Sequence, residues 1–164
     1  MAGRITMSQE QLRPDPRFGD KVVAKFINCI MYSGRKTSAQ RCLYDAFDLI
    51  DQRLEQSDVE DKPENALHVF HLAIENVMPF VEVRSKRIGG ANYQVPIPVK
   101  KNRQQSLAFR WIIQAVRSEK GRPTHMKLAD ELFAACRGEG KAMTTRDQTH
   151  RMAEANKAFA HFAR

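Results

Sequence analysis

Cysteine is scarce in this chain, which has three among 164 residues, and none of them belongs to a CxxC pair. That number and spacing argue against a disulfide framework, and we expect reduced thiols, with Cys29 and Cys42 buried on apolar helix faces. His68 and His71 are three residues apart, but no acidic or thiol partner accompanies them at metal-site spacing. The sequence therefore predicts neither a metal site nor a cofactor.

Long apolar runs and catalytic motifs are absent as well. No run approaches the roughly 20 residues that span a bilayer, and residues 1–19 lack the apolar segment of a signal peptide. The sequence contains no Walker A loop and no GxGxxG, GxSxG or HExxH motif. With 42% apolar and 28% charged residues, its composition is that of an ordinary globular protein. We expect no enzymatic activity, no small-molecule substrate and no membrane partner, in a protein that stays in the compartment where it is made.

Acidic residues are few in residues 81–122, which hold ten Lys or Arg and two Glu. The excess of eight equals the formal net charge of the whole chain, +8. A concentrated positive field attracts polyanions, so the sequence predicts a nucleic-acid partner. An anionic membrane surface is the weaker alternative, because this segment begins with a strand pattern.

Apolar residues at helical spacing predict about six helices, in a single domain over residues 20–164. The third helix is expected after the polar connection 56–65, and it contains Leu67. The other expected starts are Asp20, Thr37 or Ser38, Asn102, Thr124, and Thr144 or Thr145, and the last helix continues almost to the C-terminus. Residues 1–19 show little periodicity and contain Pro14, Pro16 and Gly19, which is typical of an extended arm.

At about residues 81–99 the apolar residues stop recurring at helical spacing and instead occupy every second position. This pattern predicts a β-hairpin that turns at Gly89 and Gly90. Pro96 and Pro98 lack an N–H on the same strand edge, so that edge stays unpaired. The fold class is therefore mainly α, with one projecting two-stranded hairpin. A hairpin of this kind is marginal alone, and we expect it to add little to the stability of the helical domain.

Three arginines of the fourth helix, Arg103, Arg110 and Arg117, fall within about 40° of one another at 100° per residue. We call them the arginine stripe. No acidic residue occurs between residues 101 and 118, whereas solvated helix faces usually mix Glu with Lys. The stripe therefore favours phosphate contact, and Lys100 and Lys101 precede it.

The hairpin carries basic residues near its turn, namely Arg84, Lys86 and Arg87. Two glycines at the turn allow the backbone to approach another surface closely. Asn92 or Tyr93 can hydrogen-bond to a base or stack on it.

The last helix is expected to be two-sided, with one side packed and the other in contact with RNA. The packed residues are Met152, Ala155, Phe159 and Phe162, and those facing RNA are His150, Lys157 and His161.

Several stretches resemble the small ribosomal subunit protein seven family in its bacterial form. The most specific are NVMPFVEVRSKRIGGANYQVPIPV at 76–99 and THRMAEANKAFAHF at 149–162, and PDPRF, KFINCIMYSGRKTSA and SLAFRWI accompany them in the same order. The resemblance implies a structural component of the small ribosomal subunit, on the ribosome in the cytoplasm or in an organelle. It further implies primary binding to the 3′ major domain of the ribosomal RNA (rRNA) and an early role in assembly of the subunit head. The ribbon would lie at the exit (E) site near transfer RNA (tRNA) and messenger RNA (mRNA), with head and platform proteins as neighbours.

Residue roles follow from the resemblance together with the basic pattern. The residues expected at rRNA are Arg35, Lys36, Lys100, Lys101, Arg103, Arg110 and Arg117. Those expected near tRNA or mRNA are Arg84, Lys86, Arg87, Gly89, Gly90, Asn92, Tyr93 and Lys157. A helical DNA-binding transcriptional regulator is the alternative function. It requires an exposed recognition helix, and the fourth helix is apolar over most of its circumference.

Overall fold

The computed structural model describes residues 12–56 and 63–163. Within these ranges the chain forms six α-helices, a two-stranded antiparallel hairpin and a short 3₁₀ helix. The elements are α1 (Lys21–Ile30), α2 (Lys36–Gln56), α3 (Ala66–Val77), β1 (Val81–Ile88), β2 (Ala91–Pro98), α4 (Lys101–Ser118), α5 (Thr124–Cys136), α6 (Lys141–Ala155) and the C-terminal 3₁₀ helix (Lys157–Ala163). The predicted fold class, mainly helical with one hairpin, is confirmed.

Phenylalanine rings join the first four helices. Phe26 of α1 lies edge-to-face against Phe70 of α3 and Phe109 of α4, with ring centroids 5.2 and 5.0 Å apart. Phe47 of α2 meets Phe70 at 5.5 Å. All four rings are at most 1% exposed, and Leu128 and Leu132 bring α5 into the same core. This geometry is the preferred one for aromatic pairs, and it fixes the orientation of α4.

The sequence predicted the start of some helices correctly and of others incorrectly. Asp20 caps α1 as expected, because its carboxylate accepts a hydrogen bond from the N–H of Val22. The second helix begins at Lys36, before the expected Thr37 or Ser38 cap. The sixth begins at Lys141, ahead of Thr144, because Glu131 of α5 accepts the N–H of Ala142 at 2.8 Å. A cap supplied by another helix leaves no local sequence signal.

The expected continuous last helix is wrong. After Ala155, the side chain and N–H of Asn156 both bond to the carbonyl of Met152, at 2.8 and 3.2 Å. The chain then continues as the 3₁₀ helix. Met152 and Ala155, expected to be packed, are exposed, whereas Phe159 and Phe162 are half-buried.

The expected burial of both thiols is also wrong. Cys29 is exposed and Cys42 is half-buried. At 100° per residue, Cys29 lies about 120° round α1 from the buried Val23, which places it away from the core.

Residues 1–11 of the expected arm lie outside the described residues. From residue 12 onward, the arm's last part is held by the buried carboxylate of Asp15, which is 3% exposed. It accepts the N–H groups of Arg17 and Phe18 and the hydroxyl of Tyr44. Burial and the neighbouring Asp15 raise the pKa of Tyr44 to about 12. This segment is therefore fixed against α2.

The hairpin, hereafter the ribbon, turns at the predicted glycines, and the structure gives its register. Val81 pairs with Pro98 and Ile88 with Ala91. Gly89 and Gly90 form the two-residue turn with φ of 57° and 90°, the left-handed conformation that such turns require. The ribbon is not isolated from the rest of the molecule, because α6 packs on β1 and the 3₁₀ helix packs on β2.

Candidate nucleic-acid interface

The arginine stripe lies on the exposed side of α4. The opposite sides hold buried residues, among them Leu107, Phe109 and Ile112. Fourteen residues separate the first arginine from the last, so the stripe extends about 21 Å along the helix axis. Arg110, at its centre, is exposed, and no acidic side chain pairs with it in the part of the chain that the structure describes.

One acidic residue does face the stripe, which corrects the expectation of an acid-free surface. Glu82 of β1 is 7% exposed, and its Oε2 accepts Nε and Nη2 of Arg103, each at 3.2 Å. Its Oε1 accepts Nε of Arg84 at 2.6 Å. One buried carboxylate thus holds two arginines, one from the ribbon and one from the stripe. Strand periodicity alone gives no indication of this pairing, because it joins residues 21 positions apart.

The other end of the stripe meets the turn between α1 and α2, residues 31–35, which we call the α1–α2 turn. Arg117 donates from Nη2 to the carbonyl of Ile30 at 3.2 Å. Arg35 is the last residue of this turn and Lys36 the first of α2; both are exposed, and neither has an ion-pair partner within residues 12–56 and 63–163. The structure therefore brings three of the predicted rRNA-contacting residues to one end of α4.

Lys100 and Lys101 are exposed where the ribbon ends and α4 begins. Lys101 lines a cleft of about 510 Å³ between α1, α3 and α4. On the same side, Lys25 of α1 donates to Gln105 of α4 at 3.1 Å. These two lysines extend the basic surface from the ribbon towards α1.

The ribbon presents two different faces. On one face, the ring of Tyr93 packs against Phe159 and Phe162 of the 3₁₀ helix, with centroids 5.1 and 5.8 Å apart. Lys86, its cross-strand partner, donates to the carbonyl of Phe162 at 2.8 Å. Arg84 is on this face too, since alternate residues of a strand share a side. The predicted tRNA contacts Tyr93, Lys86 and Arg84 are therefore engaged within the chain.

The opposite face of the ribbon is open near the turn. Ser85, Arg87, Asn92 and Gln94 are exposed there, and Arg87 pairs across the strands with Asn92. Lys157, at the start of the 3₁₀ helix, is also exposed. Of the residues predicted to lie near tRNA, Arg87, Asn92, the glycine turn and Lys157 are accessible on this side, whereas Arg84 and Lys86 are exposed but bonded within the chain.

His150, expected to face RNA, lies against the base of the ribbon. Its Nε2 accepts the N–H of Phe80 at 3.2 Å, and the two rings stack with centroids 6.0 Å apart. Burial lowers the pKa of His150, and the positive charge of Arg146 lowers it further. The imidazole is therefore a neutral acceptor at neutral pH.

The described residues contain no cluster of His, Cys, Asp or Glu that could hold a metal ion. In the same ranges, no helix is both long and apolar enough to cross a membrane. The chemistry available on this surface is that of exposed guanidinium and ammonium groups.

Comparison with known proteins identifies the family. The profile of the family described as ribosomal protein S7p/S5e matches residues 2–157. The chain belongs to this family. It is similar to "Small ribosomal subunit protein uS7" of Rhodopirellula baltica, with 57% identity over 98% of this chain and 99% of that protein. The protein of the same name from Thermotoga maritima is 50% identical over 97% of each chain, and that from Methylobacterium radiotolerans is 45% identical over 99% of each.

Membership of the S7p/S5e family makes this chain a ribosomal protein of the small subunit, a structural component and not an enzyme. The family resemblance drawn from the sequence is therefore confirmed. The alternative of a DNA-binding regulator is set aside, and α4 itself does not suit that role, because Ile112, Ile113 and Val116 are buried.

Proposed function

We propose that this chain is a primary rRNA-binding protein of the 3′ major domain, which nucleates assembly of the small-subunit head. We further propose that its ribbon lies at the E site near tRNA and mRNA, beside head and platform proteins. The observation that supports rRNA binding best is the continuous basic surface from the ribbon base, along the arginine stripe, to the α1–α2 turn.

The length and charge of this surface suit an RNA backbone. The stripe extends about 21 Å, and residues 21–44, which include the α1–α2 turn, contain no Asp or Glu. Arg110 in the middle and Arg35 and Lys36 at the end are accessible. Phosphate contacts of this kind supply most of the affinity of many RNA-binding proteins and set their position on the RNA.

Two of the stripe's arginines are held by the protein before RNA binds. Arg103 is oriented by Glu82, and Arg117 by the carbonyl of Ile30. A guanidinium has five N–H donors, so each keeps donors for a phosphate while its direction is fixed. A fixed side chain loses less conformational entropy on binding.

The open face of the ribbon supports the proposal for tRNA and mRNA. Arg87 and Asn92 offer a charged and a neutral donor beside a turn of two glycines. Because glycine has no side chain, another backbone can approach this turn closely. On this proposal, Lys86 and Tyr93 hold the ribbon on the 3₁₀ helix and do not themselves contact tRNA.

The salt dependence of binding tests the rRNA proposal. Replacing Arg110 with Gln should weaken binding to a transcript of a bacterial 3′ domain. The slope of log K against log salt should fall in magnitude by about 0.7 to 0.9 for one lost phosphate contact. Arg151→Gln is the control, because it removes the same charge from an exposed site on α6. Equal slopes for wild type and Arg110→Gln would contradict the proposal.

Sedimentation and decoding test the ribosomal part. The tagged full-length chain should sediment with small subunits in a sucrose gradient. In reconstituted ribosomes, the double variant Arg87→Gln, Asn92→Ala should retain E-site tRNA less well and shift frame more often, with rRNA affinity within twofold of wild type. Normal tRNA retention and framing would exclude a role of this ribbon face at the E site.

A further inference from the structure

Tyr32 is an unusually exposed aromatic residue in the α1–α2 turn. It is 78% exposed, the highest value among the large apolar side chains of the described residues. Its ring packs on no other aromatic ring there, and its hydroxyl has no hydrogen-bond partner within residues 12–56 and 63–163. The side chain of Tyr32 therefore makes no ring contact and no hydrogen bond in the described residues.

The backbone around Tyr32 forms a hydrogen-bonded turn. The N–H of Arg35 donates to the carbonyl of Tyr32 at 3.1 Å, and the N–H of Lys36 to that of Gly34 at 2.9 Å. Ser33 and Gly34 have φ of 50° and 74°, both in the left-handed region. The turn is thus a defined structure between two packed helices, and the tyrosine is presented by it at a fixed place.

The surroundings of Tyr32 are basic. Arg35 and Lys36 are exposed just beyond it, and Arg117 reaches the carbonyl of Ile30 just before it. No acidic residue occurs in the chain between Asp20 and Asp45. An aromatic ring among cations, without acids, matches the composition of single-stranded RNA sites, where bases stack on rings and phosphates meet cations.

We propose that Tyr32 stacks on an unpaired base of the rRNA whose phosphates Arg35 and Lys36 contact. This deepens the proposed function and rests on it. Paired bases are stacked inside a duplex, so the partner is a nucleotide in a loop, bulge or end. Tyr32 supplies the recognition of an unpaired base, and the neighbouring cations supply the sequence-independent attraction.

A pair of substitutions separates stacking from simple apolar contact. Tyr32→Phe keeps an aromatic face, and its affinity for the 3′-domain transcript should stay within twofold of wild type. Tyr32→Leu keeps apolar area without an aromatic face, and its affinity should fall about fivefold or more. The salt slope should be unchanged in both, because no charge is lost. Melting curves should match that of wild type, since the ring makes no contact in the core.

Met152→Ala provides the control, because Met152 is an apolar side chain on α6 that is 52% exposed and belongs neither to the arginine stripe nor to the α1–α2 turn. It should bind the transcript within twofold of wild type. A fully paired RNA duplex is the second probe, and Tyr32→Leu should bind it as wild type does. An equal loss of affinity on both RNAs would overturn the stacking proposal.

The outcomes also distinguish this inference from the proposed function. If wild type fails to bind the transcript, rRNA binding itself is wrong. If wild type binds and Arg110→Gln lowers the salt slope, but Tyr32→Leu binds normally, only the role of Tyr32 is overturned. If Tyr32→Leu binds RNA normally yet enters reconstituted subunits poorly, Tyr32 contacts a neighbouring protein and the stacking proposal is wrong.

Discussion

Neutralising Glu82 should destabilise the folded chain although the residue lies within a strongly basic surface. Its side chain is 10% exposed, and its carboxylate accepts hydrogen bonds from Arg84 and Arg103. Glu82→Gln keeps the shape of the side chain but removes the negative charge, and its amide nitrogen faces a guanidinium. Two arginines then lie close together at the base of the ribbon without a counter-charge.

The size of the effect follows from the exposure of the partners. Breaking a buried ion pair typically costs about 3 to 5 kcal/mol. The side chains of Arg84 and Arg103 are 57% and 43% exposed, so water solvates them when the carboxylate is lost. We therefore expect a loss of about 1 to 3 kcal/mol, in the range for hydrogen bonds to charged groups. For a chain of 164 residues, a loss of 2 kcal/mol lowers the melting temperature by about 4 to 8 °C.

Urea titration followed by circular dichroism measures the loss, with Glu154→Gln as control because Glu154 is exposed on α6. A double-mutant cycle with Arg103→Gln should give a coupling energy above about 0.5 kcal/mol. If the free energy of unfolding of Glu82→Gln lies within about 0.5 kcal/mol of the wild-type value, the carboxylate does not hold the ribbon to α4, and the account of this contact is wrong.

Two further predictions concern the C-terminal region. Phe159→Ala should cost about 1 to 2 kcal/mol in urea titration, below the 3 to 5 of a fully buried phenylalanine, because this ring is half-buried. The loss of unfolding free energy caused by Tyr93→Ala should be smaller in the Phe159→Ala background than in wild type. If the losses of the two single variants simply add, the two rings do not interact. Lowering the pH from 7.5 to 5.5 should destabilise wild type more than His150→Gln. Because the pKa of His150 is lowered in the folded chain, the unfolded chain takes up a proton at higher pH than the folded one, so stability is lost below about pH 6.5. Equal losses of stability in wild type and His150→Gln would contradict this.

Local sequence signals were sufficient for part of the fold. The cap at Asp20, the turn at Gly89 and Gly90 and the apolar faces of α4 all depend on residues within a few positions of one another. Short-range patterns of this kind report hydrogen bonding and burial of a single element.

The incorrect predictions depend on contacts between elements. The start of α6 is set by Glu131 of α5, and Tyr93 is covered by residues more than 60 positions later in the chain. Asn156 interrupts the continuous helix that was inferred for residues 150–162, and only Phe159 and Phe162 of the predicted packed side are half-buried. The spacing of residues within one segment does not show which distant residues will contact it.

The basic surface was predicted as a set of residues, but its organisation was not. The charge excess of residues 81–122 pointed to the stripe and the ribbon. That Glu82 ties these two elements together required the structure, because an acid within a basic strand has the same pattern whether it faces solvent or a neighbouring helix. The exposure of Tyr32 carried no signal either, because a tyrosine just beyond a run of helical periodicity gives the same pattern whether its ring packs or faces solvent.

A buried carboxylate beneath the proposed RNA-binding surface has opposing effects. It lowers the positive potential by one charge, which weakens long-range attraction for RNA. It also fixes the directions of Arg84 and Arg103, which lowers the entropy lost when either meets a phosphate. With Glu82 counted, the cations of residues 81–122 still exceed the acids by eight, so one negative charge changes the attraction little. Orientation is therefore the larger effect, and Glu82 serves the binding surface by linking the ribbon to α4.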